Sequence, residues 1–493
     1  MKKLALTAAV LVLTLGPSLA HAFCGFYVSG SGEKMFADAT QVVLMRKGTR
    51  TVLSMQNDYK GPLADFAMVV PVPVVLKKEN VKTLPKDVFE HVESLGSPRL
   101  VEYWEQDPCP FGDDEGAFGY GRAGFGAGGG GVGYGTVGIG STSVKIEAKF
   151  DVAEYEILIL SATEAAGLET WLRANKYKIP DGAEPLLRPY VEAGSKFFVA
   201  KVNPKKVKMV GGHAALSPLR FHYDSEEFAL PIRLGMANSS GKQDLIVNIL
   251  SPDKRYEVAN YKNVFIPTNF DVKSAVKARF AEFYAALFDK TIEANPGAIV
   301  TEYAWTAQRG YHCDPCPDVD VTSDDLASLG GDVIDADLTN RFVMTRLHAR
   351  YSKQDMKDDL RFKEAKPVTG GREEYGKQGI EYGAKPSTEN YFQARYAVRH
   401  FWNKPIKCKH PQRGMWGGPP DGSDPAPVVA SKLAFAPRGK LELGTVINRD
   451  LWEIGFKKTK PAAKGGAVKP VKFMGLGLFG LLGGVVLWRR RRR

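Results

Sequence analysis

Runs of apolar or alternating residues predict strands along most of the chain. Two of them, 41–46 and 51–56, flank a Lys-Gly-Thr-Arg stretch, which is typical of a β-hairpin turn. The Val-rich segment 65–76 contains Pro71 and Pro73. Because proline cannot donate to a strand ladder, we expect an edge strand or an extended segment there. Further strands are predicted at 144–160, 196–202, 227–234, 245–250, 255–261, 298–305, 342–351 and 391–402.

A helical spacing of apolar residues predicts four helices, at 86–95, 163–177, 183–192 and 272–294. The longest carries Val276, Phe280, Phe283, Tyr284 and Leu287 on one stripe, which favours a buried core face over a cofactor site. Helices and strands follow one another without regular βαβ alternation. The sequence therefore predicts an α+β fold: a mixed, mainly antiparallel sheet body with several helices, plus one C-terminal transmembrane helix.

A glycine-rich segment at 111–143 divides the body into two parts. Nearly half of its residues are Gly, and a chain with so little to bury predicts a flexible linker or long loop. Tyr and Phe recur between the glycines, which leaves weak self-association as an alternative. The parts on either side are an N-terminal β-rich part, 23–110, and a main α+β body, 144–456.

The first 22 residues have the features of a cleaved signal peptide. Lys2 and Lys3 precede an apolar run, and Ala20-His21-Ala22 supplies the small residues that signal peptidase requires. Phe23 would be the first residue of the mature protein. Lipid attachment at Cys24 is the alternative, and the bulky Phe23 before it disfavours that processing.

The C-terminus predicts a membrane anchor. Residues 473–488 are apolar and uncharged, and five arginines, 489–493, follow directly. Sixteen residues at 1.5 Å each give a helix of about 24 Å, a short span that the arginines would hold on the cytoplasmic side. A Lys/Pro/Gly spacer at 457–472 would hold the body off the membrane. A surface-sorting tail that is cut is the alternative, but no Leu-Pro-x-Thr-Gly motif precedes the segment. We expect a single-pass protein of the cell envelope with its body on the extracytoplasmic side.

The net charge of +12 belongs to the two ends of the chain. The N-terminal lysines, the terminal arginines and the six lysines of the spacer carry thirteen positive charges, and removing them leaves a formal charge of −1 for residues 23–456. A nucleic-acid-binding surface would be expected to give the body a net excess of basic residues. We therefore expect no nucleic acid partner; the expected partners are the membrane, through the C-terminal helix, and an unknown envelope protein or ligand.

No motif in the chain predicts a catalytic residue or a cofactor. The Gly119-x-Gly121-x-x-Gly124 match lies inside the glycine-rich segment, so it neither follows a strand nor opens a helix. Residues 235–242 resemble a phosphate-binding loop but have the wrong glycine spacing and lack the final Ser/Thr. Zinc-protease, nucleophile-elbow and EF-hand patterns are absent from the sequence.

The cysteines offer the most chemistry. All five lie in the exported part, where oxidation favours disulfides: Cys24, Cys109, Cys313, Cys316 and Cys408. Cys313 and Cys316 form a Cys-x-x-Cys pair beside His312, so a redox-active thiol pair is an alternative. A metal site using His312, Cys313 and Cys316 is a weaker one, since the fourth ligand is missing. The odd number leaves one thiol free or paired with another chain.

The chain resembles the bacterial domain-of-unknown-function family 2330. The resemblance rests on short motifs: FCGFYV at 23–28, QNDY at 56–59, the segment 66–76, LETWL at 168–172, PIRLGM at 231–236, CDPC at 313–316 and TRLH at 345–348. It implies one exported unit, with the glycine-rich segment as an insertion. The family has no established activity, so no catalytic residue is carried over. We expect a non-enzymatic binding or structural module, the alternative being a thiol–disulfide oxidoreductase or thiol-dependent envelope enzyme using Cys313 and Cys316.

Overall fold

A computed structural model describes most of the body of the chain. The described residues are 26–28, 36–60, 67–109, 143–175, 177, 179, 182–210, 213–238, 242–308, 321–334, 337–338, 341–352, 354–372, 375–376, 379–380, 382–423, 427–429 and 441–458. The predicted signal peptide, all but the last residue of the glycine-rich segment and the predicted C-terminal span lie outside them.

The described residues form 28 strands, many of them short. The first half comprises β1 (Phe26–Val28), β2 (Phe36–Lys47), β3 (Arg50–Lys60), β4 (Ala67–Val72), β5 (Val81–Thr83), β6 (Arg99–Glu105), β7 (Val144–Val152), β8 (Tyr155–Ala162), β9 (Lys196–Val202), β10 (Lys208–Val210), β11 (His213–Ala215), β12 (Leu219–Asp224) and β13 (Ala229–Leu230). The second half comprises β14 (Gln243–Ser251), β15 (Arg255–Val258), β16 (Asn263–Phe265), β17 (Phe270–Asp271), β18 (Ile299–Gln308), β19 (Arg341–Tyr351), β20 (Leu360–Ala365), β21 (Val368–Gly370), β22 (Tyr375–Gly376), β23 (Gly379–Ile380), β24 (Lys385–Pro386), β25 (Tyr391–Gln393), β26 (Arg395–His400), β27 (Trp416–Gly417) and β28 (Val428–Val429).

Six α-helices accompany the strands in the described ranges: α1 (Asp87–Gly96), α2 (Ala165–Ala174), α3 (Glu184–Glu192), α4 (Phe280–Ala294), α5 (Ser323–Leu326) and α6 (Leu443–Val446). The amphipathic faces expected from the sequence are buried. In α1, for example, Val88, Phe89, Val92 and Leu95 all lie in the core. Within the described ranges, none of the helices has both the length and the apolar character that a transmembrane span requires.

A sheet of eleven strands forms the centre of the molecule. Its order is β24-β21-β25-β18-β19-β14-β2-β3-β12-β5, and β16 pairs with β18 beside β25. Most neighbours are antiparallel, but β14 runs parallel to β2. Strands from before and after the glycine-rich segment therefore share one sheet. The α+β class with mixed and mainly antiparallel sheets is confirmed.

A second sheet, β1-β4-β9-β8-β7, packs against one face of the central sheet. The core between them is purely apolar at its centre, with Leu44 and Val247 from the central sheet facing Ile157 and Phe198. Helices α2 and α3 cover the outer face of the second sheet. Helices α1 and α4 cover the other face of the central sheet, so the body has four layers: helices, sheet, sheet, helices.

A third sheet, β17-β26-β6-β27 with β28 beside β6, lies next to α4. Its strands β26 and β6 are parallel and in register, Arg395 opposite Arg99. After His400 the chain leaves β26 in a long loop that returns as β27, antiparallel to the end of β6. The last described segment joins this sheet through a bridge between Ile447 and Val272.

Several local predictions are confirmed and others are wrong at identifiable residues. The hairpin at 41–56 forms, with Gly48 at φ 56° in its turn. Strand β4 is not an edge: it lies between β1 and β9, but β1 reaches only Ala67–Val69. Pro71 therefore has a neighbour on one side only, which its missing donor permits.

Three other predicted elements are shorter than their patterns. The predicted strand 227–234 keeps only Ala229–Leu230, because Pro231 ends the ladder and Arg233–Asn238 form a 3₁₀ turn. The predicted helix 272–294 begins with a 3₁₀ turn, Ser274–Arg279, and becomes α-helical at Phe280. The predicted strand 391–402 is divided at Ala394 into β25 and β26, which belong to different sheets.

Candidate functional site

Two clusters of polar side chains stand out, and the first is a charge network buried between the central sheet and the helices α1 and α4. Strand β19 places Arg346, His348 and Arg350 on the helix-covered face, because side chains alternate along a strand. The intervening Leu347, Ala349 and Tyr351 enter the core between the two sheets. The neighbouring strands add Glu302 from β18 and Asp244 from β14.

Glu302 is the centre of this charge network. Its carboxylate accepts hydrogen bonds from Arg346 Nε at 2.7 Å, from His348 Nδ1 at 2.7 Å and from the Tyr284 hydroxyl at 2.7 Å. Glu302 and Arg346 side chains are 0% exposed. Because three donors, two of them cationic, bond to this carboxylate, its charge is compensated although no solvent reaches it.

The network extends to both helices. On the α1 side, Arg346 donates from Nη1 and Nη2 to the Glu93 carboxylate at 2.6 and 3.0 Å. On the α4 side, Arg350 pairs with Asp289 and donates from Nε to Asp244 Oδ1 at 2.7 Å. His348 Nε2 lies 3.2 Å from the same Asp244 oxygen. The network thus joins α1, α4 and three strands.

Burial and charge oppose each other in setting the pKa values of the network. Burial alone would raise the pKa of Glu302, but His348 and Arg346 outweigh it and lower that pKa to about 2. Burial alone would lower the pKa of His348, but Glu302 and Asp244 outweigh it, so its pKa is raised. Both ring nitrogens face carboxylates, so the imidazolium form donates two hydrogen bonds. The charges at the centre of the network are buried and inaccessible to a ligand. Their ion pairs connect the central sheet to helices α1 and α4.

The second cluster lies in an open cleft of about 200 Å³. The cleft is bounded by the end of β4, helix α3, the end of β12, strand β13 and the residues just before β20. Four prolines from three of these segments form part of its wall: Pro71, Pro73, Pro189 and Pro231. Proline fixes φ and loses little freedom when a ligand binds, so this wall is preorganised.

Asp359 organises the polar side of the cleft. Its Oδ1 accepts from the Tyr190 hydroxyl at 2.7 Å and from the backbone N–H groups of Ile232 at 2.9 Å and Arg233 at 3.2 Å. Its Oδ2 accepts from Arg233 Nη2 at 3.1 Å. Four donors occupy the acceptor positions of one carboxylate, so Asp359 is engaged as a clamp and is poorly placed to act as a general base or nucleophile.

Arg233 and Tyr190 are held against each other beside this clamp. The Arg233 guanidinium lies 4.9 Å from the centre of the Tyr190 ring. Burial alone would lower the pKa of Arg233, but Asp359 outweighs it and that pKa is raised. Burial, together with Asp359, raises the pKa of Tyr190 well above its usual range. Neither group is therefore tuned to exchange a proton near neutral pH.

The rim of the cleft is exposed and charged. Arg361 Nε lies 2.7 Å from Glu227 Oε1, and the two side chains are 63% and 57% exposed. Ser195 and Ser225 add hydroxyl groups to the lining. The cleft therefore offers a preorganised apolar wall and a few fixed polar groups, the two kinds of contact that ligand sites use.

Among the predicted site residues, Cys109 and Cys408 are brought together. They form a disulfide that joins positions 299 residues apart, between the end of β6 and the loop after β26. This confirms the expectation of a disulfide. Cys24, His312, Cys313 and Cys316 lie outside the described residues. Within those ranges, no group of three or more His, Cys, Asp or Glu side chains has an arrangement suited to a metal ion.

Sequence reasoning missed both polar clusters. Their signal was present: Arg346, His348 and Arg350 alternate with apolar residues in a predicted strand, which places three basic groups on one face. Arg233 also lies within a motif quoted for the family resemblance, as do Arg346 and His348.

The family model described as "Uncharacterized protein conserved in bacteria (DUF2330)" matches residues 18–363 of this chain. The chain belongs to this family. The matched range contains every residue of the charge network and of the cleft, whereas Cys408 lies beyond it. None of the curated proteins and none of the solved structures compared with this DUF2330 chain matches it.

Proposed function

We propose that this DUF2330 protein is exported, is anchored in the membrane by residues 473–488, and acts in the cell envelope as a non-enzymatic binding module. Its body would face the extracytoplasmic side, with a ligand of the envelope bound in the proline-lined cleft. The proposal rests on the sequence features of the two ends and on two observations in the described residues, the Cys109–Cys408 disulfide and the proline-lined cleft.

The observation that carries the proposal is the Cys109–Cys408 disulfide. Cytosolic thiols are kept reduced, whereas structural disulfides persist in exported proteins. The bond closes a loop of nearly 300 residues and fastens the loop after β26 to the end of β6. A bond that joins two segments so far apart in sequence acts as a structural staple, and it supports export to an oxidising compartment.

The cleft supports binding in preference to catalysis. Its one central carboxylate, Asp359, already accepts four hydrogen bonds. Tyr190 and Arg233 have pKa values moved away from neutrality. A catalytic acid or base works best with a pKa near the working pH, and the cleft offers groups for holding a ligand instead.

The test is the intact mass of the full chain recovered from bacterial membranes and alkylated without reductant. We expect a mass that lacks residues 1–22 and keeps the arginine tail, with no alkyl group on Cys109 or Cys408. A Cys109→Ser/Cys408→Ser double variant is the matched control, because it removes the staple without touching Cys24, Cys313 or Cys316.

Two outcomes would contradict parts of the proposal. A full-length mass in the cytosolic fraction, with both Cys109 and Cys408 alkylated, would exclude export. Alkylation of Cys313 and Cys316 in the membrane fraction, with exchange against an added dithiol, would favour the thiol–disulfide oxidoreductase alternative over a binding module.

A further inference from the structure

The loop after β26, residues 401–416, has a composition unlike the rest of the surface. Three of the large apolar side chains that the described residues leave exposed lie here: Phe401 at 64%, Ile406 at 41% and Met415 at 37%. Lys404, Lys407 and Lys409 lie between them and are exposed too. The loop contains no Asp or Glu. We call these sixteen residues the stapled loop.

The stapled loop is bonded to the end of β6 at several points despite its exposure. Besides the disulfide, it is fixed by Glu105 at the end of β6, whose carboxylate accepts from Arg413 Nε and Nη2, both at 2.7 Å. The same carboxylate accepts from the backbone N–H of Trp402 at 3.0 Å and of Gly414 at 2.8 Å. The exposed apolar side chains are therefore presented in place and lose little freedom on docking.

The charges of the stapled loop are available to a partner. Arg413 is neutralised by Glu105, but none of the three lysines forms an ion pair with another described residue. Lys404 Nζ lies only 5.1 Å from the centre of the Trp402 ring. Phe401 packs edge-on against Trp416 at 5.2 Å, so the aromatic groups form a cluster beside the cations.

Aromatic and aliphatic side chains interspersed with lysines are the composition of surfaces that lie on anionic lipid. The rings enter the headgroup region and the ammonium groups remain at the level of the phosphates. Each lysine near an anionic surface adds to the attraction, and exposed carboxylates, which would oppose it, are absent from the loop.

Part of the last described segment lies beside the strand from which this loop starts. The last described segment bridges Val272 through Ile447, and Val272 directly follows β17, the neighbour of β26. Fourteen residues separate Lys458 from residue 473. Even fully extended they reach at most about 50 Å, so the body stays close to the bilayer.

We propose that the stapled loop rests on an anionic phospholipid surface and orients the body against the membrane. This inference rests on the membrane anchoring proposed above. The stapled loop lies beyond the residues matched by the family model, so the contact belongs to this chain's own C-terminal part and not to the matched family region.

The test uses the full chain with vesicles of phosphatidylcholine alone or with one quarter phosphatidylglycerol. Flotation reports anchoring, and hydroxyl-radical footprinting of Phe401 and Met415 reports the loop. We expect flotation with both compositions, and oxidation of Phe401 and Met415 that falls severalfold only when phosphatidylglycerol is present. High salt should restore the oxidation, because it screens the lysines.

Charge reversal distinguishes the contribution of the loop lysines from that of lysines elsewhere on the surface. Lys404→Glu/Lys407→Glu/Lys409→Glu should abolish the protection of Phe401 and Met415 without changing flotation. Lys86→Glu/Lys205→Glu/Lys366→Glu changes the net charge equally at exposed lysines elsewhere and should leave the protection intact.

Each outcome has one meaning. Flotation without lipid-dependent protection would overturn the loop contact and leave the anchoring in place. Failure to float, with protection still induced by phosphatidylglycerol, would overturn the anchoring alone. Protection that rises with protein concentration in the absence of vesicles would show that a second copy covers the loop, and protection lost equally in both triple variants would reject a specific role for the loop.

Discussion

The charge network and the cleft are built from the same kinds of group in opposite settings. Each has a carboxylate that accepts from a tyrosine hydroxyl and an arginine: Glu302 in the network and Asp359 in the cleft. Glu302 is 0% exposed, whereas the Asp359 and Arg233 side chains are 15% and 21% exposed. Access to solvent, and not residue type, separates a structural clamp from a site that a ligand can reach.

The difference also concerns what each carboxylate joins. Glu302 and its partners connect the central sheet to two helices, so their loss would weaken the packing between layers. Asp359 fixes α3 and the 3₁₀ turn after β13 around an opening. Removing one member of a buried ion network is strongly destabilising, because it leaves an uncompensated charge in the core. Near the surface, water replaces the missing partner.

The largest expected effect tests this contrast directly. Glu302→Gln keeps the shape of the side chain but removes one of the two carboxylates that compensate each of Arg346 and His348, and we expect a loss of about 3–5 kcal/mol in the free energy of unfolding. Asp359→Asn is the matched control and should cost about 1–2 kcal/mol, since water can reach the site. Urea unfolding at pH 6 measures the stability of both variants. Equal losses would show that water compensates Asp359 no better than it compensates Glu302.

A smaller effect is expected from pH. The pKa of His348 is raised in the folded protein, so its stabilisation is fully present below the unfolded value of about 6.5 and is lost as pH rises through the folded pKa. Glu302, with a pKa lowered to about 2, contributes above its ordinary value of 4.5 and loses that contribution as pH falls towards 2. The network therefore contributes most between about pH 4.5 and 6.5.

His348→Gln makes the pH prediction specific. The wild-type unfolding free energy should decline as pH rises from 6 to 9, and the variant should be less stable at pH 6 but have a flatter profile over this range. Urea unfolding at half-unit steps of pH gives both curves. Parallel curves would mean that another group, and not His348, titrates with folding.

The smallest effect is expected at the rim of the cleft. Arg361→Ala breaks the exposed pair with Glu227, and exposed pairs contribute at most about 1 kcal/mol and often nothing measurable. The urea midpoint should remain within error of the wild type. A large loss would indicate that the rim supports the fold and would weaken the proposal that it contacts a ligand.

Much of the fold could be predicted from local pattern. The hairpin of β2 and β3, the buried stripe of α1 and the whole of β9 follow from periodicity and turn residues. Where the pattern failed, a nonlocal or single-residue effect decided: Pro231 shortened a strand, and the division at Ala394 sends two adjacent strands to different sheets. Periodicity predicts that a strand exists but not which strand it pairs with.

The polar clusters were less accessible to sequence reasoning. Glu302 meets Arg346 across 44 positions, His348 meets Asp244 across 104, and Arg346 meets Glu93 across 253. A buried Glu cannot be distinguished from a solvated one until its partners are placed. The alternating basic residues of β19 were the one local signal, and they indicate a charged face without identifying the acids that cover it.

The parallel pairing of β2 with β14 has a consequence for how the chain acquires its structure. Residues 40–45 pair with residues 245–250, and Cys109 forms its disulfide with Cys408. Contacts this distant in sequence make folding slow, because the chain loses the entropy of closing a long loop before the stabilising contacts form. During synthesis the N-terminal strands therefore emerge long before their partners. Until then they present unpaired edges, so protection from aggregation by a holding chaperone would be needed most during this interval.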